Sequence, residues 1–257
     1  MSLSVRSVRP VLQAAIVLCS SLLIITHHTS AGQSNSLLDI SADGKLLACS
    51  NRDSGSVTIV DLKSRKKLHE IKVGKHPEGV SFVGDSHQVA AAIYDEDRIV
   101  FLNADSGKQT GQTEVFDEPY GVVSTTDGKR IFVTLDYPGR IVEIDPATKK
   151  IIREFSSGKH LRGIAVSGDN QSLFVTEYYS ALVRQVDIKT GETVDEWPGG
   201  SSDNLSRQIT LHPRRAKAYL PHIRSRITVA HGAGSIFPIV SIVDTQPKEG
   251  KRRRKIP

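Results

Sequence analysis

Asp43, Asp85, Asp127 and Asp169 recur at one interval of 42 residues, and no other feature of the chain limits its fold as tightly. Asp61, Asn103, Asp145 and Asp187 keep the same interval. So do Gly79, Gly121 and Gly163, and so do Gly74, Phe116, Gly158 and Gly200. Four series on one ruler mark a tandem array of a single supersecondary unit. A period near 42 suits four-stranded propeller blades and paired-helix repeats alike, so the content of the repeat has to choose. Short β-branched and aromatic runs, such as Ile131 to Leu135, Ile141 to Asp145 and Ile151 to Phe155, are separated by Asp-Gly, Pro-Gly and Asp-Pro turns. Those are strand signals with turn chemistry between them. No stretch of about ten residues keeps a helical period, which excludes paired helices.

Each repeat reads as four strands, a to d. Strand a follows the Gly79, Gly121, Gly163 series. Strand b is Leu46 to Ser50, Gln88 to Ile93, Ile131 to Leu135 and Leu173 to Glu177. Strand c is Val57 to Asp61, Ile99 to Asn103, Ile141 to Asp145 and Leu182 to Asp187, and strand d is the variable outer one. Strands b and c are near-continuous apolar runs, as expected when neighbouring blades cover both faces of each sheet. The expected fold is all-β, a β-propeller of four-stranded antiparallel blades, with about five blades present in an incomplete or open ring. Blades are expected near 34–74, 75–117, 118–158, 159–200 and 201–257, within a propeller domain spanning 32–245.

The runs Phe132-Val-Thr and Phe174-Val-Thr, each followed by a strand ending in Asp145 or Asp187, resemble the YVTN-family β-propeller repeat. The fourth motif position departs from it, being Leu135 and Glu177, while Asn51 keeps the amide. The resemblance covers roughly residues 34–245 and speaks to fold more than function, because propellers host enzymes, haem carriers and binding modules alike. It is similar to surface-layer modules and to the haem-binding propeller of cytochrome-type nitrite reductases. Relatives of this kind often precede a cytochrome c or peroxidase-like domain.

The first 31 residues read as a secretory signal, with Arg6 and Arg9 at the charged end, an apolar core from Val11 to Ile25, and small residues at Thr29 to Ala31. That core is short of the roughly 20 apolar residues a spanning helix needs, which leaves an uncleaved anchor as the alternative. An exported chain, periplasmic or at the cell surface, is expected. The formal charge of +6 is concentrated at the ends: removing Arg6, Arg9 and the five basic residues of Lys251 to Lys255 from 34 leaves 27 against 28 acidic. A near-neutral body excludes a nucleic-acid partner, and a membrane is expected only through an uncleaved N-terminal anchor. Of the two cysteines only Cys49 lies beyond the signal, at a strand-b position held by Ala91, Val133 and Val175 in the other repeats. It reads as a small buried residue, with a reactive thiol as the alternative.

The fifth repeat breaks the ruler. Asp187 and Asp244 lie 57 apart, so about 15 residues are extra, most of them between its strands b and c. Its strands are expected at Gln208 to Leu211, Ala216 to Pro221 and Ile239 to Asp244. Residues 246–257 then form a basic tail or a truncated last strand, as in the front portion of a larger propeller.

In propellers the loops between blades and the b–c loops share one face. His76 and His160, two periods apart, occupy equivalent blade-opening positions there. Arg52, Tyr94, Asp136, Tyr178 and Tyr179 end the b strands, and the fifth repeat adds His222, Arg224, Arg226 and His231. A top-face ligand site is expected from His76, His160, His222, Arg224, Arg226 and His231. Histidine suits metal or proton chemistry, and arginine suits carboxylate or phosphate. No Cys-x-x-Cys-His carries covalent haem, the lone Met is Met1, and no Gly-x-Ser-x-Gly elbow occurs. No cofactor is expected within the chain itself, with non-covalent haem or metal left open. The expected function is an exported, non-catalytic binding or scaffold module for a protein partner or small anionic ligand, or the front part of a haem/cytochrome-linked electron-transfer protein. The alternative is a propeller enzyme, a lactonase-like hydrolase or a haem-dependent oxidoreductase.

Overall fold

A computed structural model of the chain describes residues 35–226, 235–246 and 253–256. The signal segment and His231 lie outside the described residues. Five antiparallel sheets follow one another in sequence order, as the 42-residue period predicts. The first four contain four strands each. Their inner strands are Asn35–Ile40, Pro77–Phe82, Pro119–Ser124 and Leu161–Val166. Their second strands are Leu46–Asn51, Gln88–Ile93, Ile131–Leu135 and Ser172–Glu177. Apart from a single 3-10 turn at Tyr94–Glu96, the described residues form no helix, so none is long and apolar enough to cross a membrane.

Apolar clusters lie between successive sheets, which explains the continuous hydrophobic runs. Leu46, Ala48, Val57 and Ile59 of the first blade pack against Val80, Val89, Ala91 and Ile93 of the second. The second and third blades meet through Ile99, Phe101, Ile131 and Val133. The third and fourth share Phe132, Ile141, Leu161 and Leu173, and the fourth and fifth share Phe174, Trp197, Ala218 and Leu220. Each fully buried aliphatic of this kind stabilises by about 1.5–3 kcal/mol. Cys49 is buried in its strand, and burial pushes its thiol pKa up. That favours an inert thiol.

Three of the ruler series have direct physical causes. At Gly79 and Gly121 a Cβ would lie 2.2 Å from the carbonyl oxygens of Tyr120 and Arg162 in the next blade. At Gly163 it would lie 2.8 Å from the Gln208 carbonyl carbon. The inner strands converge so closely that only glycine fits. Hydroxyls reinforce this junction: Thr134 Oγ1 accepts from Gly121 N at 2.8 Å and donates to Arg162 O at 2.8 Å. Ser50 Oγ likewise donates to Glu78 O at 2.5 Å. This inter-blade bridge explains the threonine of the Val-Thr repeat.

The Asp series caps turns. Asp43 accepts from Ser41 Oγ and Lys45 N, Asp127 from Thr125 Oγ1 and Lys129 N, and Asp169 from Ser167 Oγ and Gln171 N. Asp61, Asn103, Asp145 and Asp187 accept from backbone amides two or three residues on. Hydrogen bonds to the charged form hold the carboxyls of Asp43, Asp61, Asp127, Asp145, Asp169 and Asp187 below the usual range. A folded pKa below the unfolded one adds stability above the unfolded value and loses it as pH falls. Asp127→Asn, which does not titrate, should therefore be less stable than wild type at neutral pH. The gap should narrow as pH falls below about 4. Thermal unfolding of both proteins across that window checks it; a gap independent of pH counts against the assignment.

The fifth sheet departs from the repeat in three ways. Its inner strand forms as two pieces, Asp203–Asn204 and Thr210–Leu211, rather than one run from Gln208. Its second and third strands are ten residues each, Lys217–Arg226 and Ser235–Asp244, so much of the extra sequence lengthens a ladder. Arg253–Ile256, from the basic tail, pairs along Val240 to Val243 as an outer strand. The sheet thus runs four strands across instead of stopping at three, because backbone groups at an open edge favour pairing. Among the described residues no hydrogen bond joins the fifth sheet to the first. The ring is open in that sense.

Candidate functional site

Three ruler positions converge at one end of the ring. The first holds His76, Glu118 and His160, which open blades 2 to 4 in the same left-handed backbone conformation, with φ of 49°, 43° and 48°. Their carbonyls accept from Tyr94 N, Asp136 N and Tyr178 N at 3.1, 2.9 and 2.9 Å. This pins the second position (Arg52, Tyr94, Asp136 and Tyr178) against the first. The third position lies two residues further along each inner strand and holds Glu78, Tyr120 and Arg162.

Arg162 is the centre of the cluster. Its Nε and Nη2 donate to Asp136 Oδ2 at 2.8 and 2.6 Å. Its guanidinium lies 3.6 Å from the centroid of the Tyr178 ring and 4.6 Å from that of Tyr120. Asp136 is only 4% exposed; its second oxygen lies 3.3 Å from His160 Nδ1, and Tyr94 OH donates to Oδ2 at 3.3 Å. Burial, with Asp136 and Glu118 nearby, raises the Tyr94 phenol well above its ordinary value. Burial also raises Glu118. Glu78, nearly fully buried, accepts from Arg52 Nε at 2.7 Å. Burial raises its pKa, and Arg52, Arg207 and Arg162 pull it back. Buried charges of this kind persist only when paired and hydrogen-bonded.

Arg207 enters through the break in the fifth inner strand. It bonds the Tyr178 hydroxyl and sits 5.9 Å from that ring's centroid. Among the described residues it has no carboxylate ion pair. Arg162 and Arg207 both line a channel of about 580 Å³ between the inner strands. Its walls include Leu38, Ile40, Val122, Ile164, Ile209 and Leu211. Cavities of several hundred Å³ with a few convergent polar groups suit small-molecule ligands.

The six residues expected to form the site are not gathered in one place. His76 and His160 both stand on the rim, each beside a carboxylate: His76 Nδ1 is 2.7 Å from Asp95 Oδ2, and His160 faces Asp136. His160 also packs edge-on against the exposed Tyr179 at 4.9 Å. His222 is buried in the fifth sheet with Nε2 2.9 Å from Ser241 Oγ. Arg224 Nε lies 3.6 Å from Asp203 Oδ1, and Arg226 ends the same long strand. Among the described residues no group of three His, Cys, Asp or Glu side chains is placed to hold a metal. The sequence reading missed Glu78, Tyr120, Arg162 and Arg207. The ruler itself could have found the first three, since they form one column of polar residues whose chemistry changes from blade to blade.

Sheet order, inter-blade cores and an axial channel define the chain as a β-propeller. No family model and no curated protein matches it. Among solved structures it is similar to the Kuenenia stuttgartiensis hydrazine synthase, with a TM-score of 0.77 and 21% identity over 86% of this chain. The chain spans 65% of the length of that one. At this identity the likeness shows the fold alone.

Proposed function

We propose that the chain is an exported, non-catalytic β-propeller binding module that takes a small organic anion at the mouth of its channel. The observation that carries this is Arg207, a guanidinium that lines the channel beside Arg162 without a carboxylate partner among the described residues. A carboxylate offered to it gains charge-assisted hydrogen bonds in a partly buried setting. Tyr120 and Tyr178 supply flat apolar walls, and the aliphatic channel takes the ligand body. His76 and His160 stand further out on the rim, where they meet ligand substituents. The likeness to a longer hydrazine synthase chain supports reading this propeller as one module of a larger protein, including a haem/cytochrome-linked one.

Calorimetric titration with acetate, succinate, benzoate and inorganic phosphate tests the reading. At least one carboxylate should bind. Arg207→Gln should weaken it about 10- to 100-fold, the range for one charged hydrogen-bonding group. Binding by none of the four, or binding untouched in Arg207→Gln, overturns the proposal.

A further inference from the structure

The long hairpin of the fifth blade differs from every other b–c connection in length and in surface. In blades 1 to 4 the second strand ends where Arg52, Tyr94, Asp136 and Tyr178 begin the turn. In blade 5 the ladder continues past His222↔Ile239 to Arg226↔Ser235. The extension is therefore a two-stranded arm rising on the face that carries the channel mouth. Its backbone groups are paired across the arm, so the arm keeps its shape without a covering domain.

Its side chains are apolar where water should favour polar ones. Ile236 is 68% exposed, Phe237 53% and Val240 39%, and Pro221 and Pro238 are exposed beside them. Register places Phe237 on one face of the arm, opposite Arg224, and Ile236, Pro238 and Val240 on the other. A folded protein partner covers one face of such an arm, whereas a lipid interface surrounds both. The outer strand that pairs at the base of the arm carries Arg253, Arg254 and Lys255, opposite Val243, Ile242 and Ser241. These belong to a run of five basic residues in a chain whose remaining body is close to neutral. Protruding apolar groups next to concentrated positive charge are the two components of reversible binding to an anionic bilayer surface.

We infer that the fifth blade docks on an anionic membrane surface, with Ile236 and Phe237 entering the headgroup layer and the Arg253–Lys255 strand held by lipid phosphates. Docking by this arm turns the channel mouth toward the bilayer.

The test is flotation of the full chain with vesicles of phosphatidylcholine alone and of equal parts phosphatidylcholine and phosphatidylglycerol. Binding should require phosphatidylglycerol and fall as salt is raised. Combined Arg253→Gln, Arg254→Gln and Lys255→Gln should cut it at least ~10-fold, since each basic residue near an anionic surface contributes several-fold. Ile236→Asp with Phe237→Asp should cut it by a similar factor, with thermal unfolding of each variant compared to wild type as the control. If the arm variant fails to fold, the glutamine variant still decides the matter. Failure to float with anionic vesicles overturns the inference. So does equal binding to phosphatidylcholine alone retained by both variants, which assigns attachment to the N-terminal segment. Capture on a heparin column without vesicle binding also overturns it, pointing to a soluble polyanion.

Discussion

Asp136→Ala should destabilise the fold by about 3–5 kcal/mol, the range for removing one partner of a buried ion pair. Arg162 is only 14% exposed and directs two hydrogen bonds at Asp136 Oδ2, while Tyr94 and His160 face the same carboxylate. Removing it leaves a guanidinium between two tyrosines with its charge uncompensated. The loss should come from that stranded charge more than from the missing attraction. Asp136→Leu combined with Arg162→Met should therefore recover much of the stability, because no charge remains buried. Urea unfolding of the single and double variants measures both. A single variant within about 1 kcal/mol of wild type would show that water already reaches the pair. The double variant should still lose carboxylate binding, which separates stability from function.

The second large effect is expected at Gly121→Ala, a change of one methyl group. Its Cβ would fall 2.2 Å from Arg162 O and 2.9 Å from both Ile164 Cγ2 and Thr134 Oγ1. The nearest obstacle is backbone of the adjacent blade, so relief requires the blades to move apart. Both Thr134 bonds at that junction would be strained. Overpacking against backbone should cost about 3 kcal/mol or more. Gly168→Ala is the control, since nothing lies within 4 Å of the added carbon, and its effect should stay within about 0.5 kcal/mol. Equal unfolding midpoints for the two variants would contradict the inter-blade explanation of the glycine series.

These residues show which parts of the molecule could be read in advance. Columns that keep one residue type along the ruler proved architectural. The Asp series caps turns, and the Gly79, Gly121 and Gly163 series sits where inner strands nearly touch. The columns that keep position but change chemistry (Arg52, Tyr94, Asp136, Tyr178 and Glu78, Tyr120, Arg162) are those that meet at the channel mouth. The histidines drew the sequence reading because histidine is chemically versatile. Yet versatility says nothing about where a side chain ends, and His222 ends inside a sheet. The extra residues of the fifth repeat were located correctly. Their form was not, because an alternating apolar stretch next to glycines reads equally as loop or ladder until its partner strand is known.

Sequence alone determined the period, the all-β class, the four-strand content of the repeat and the turn chemistry. Each is encoded within a few residues along the chain, by β-branched runs and by carboxylates bonding nearby amides. Tertiary structure alone decided which side chains form the site. Arg162 finds Asp136 and Tyr120 in the preceding blade, and Arg207 finds Tyr178, only because neighbouring sheets pack face to face around a common axis. That packing sets distances between residues far apart in sequence, and no local spacing rule records them.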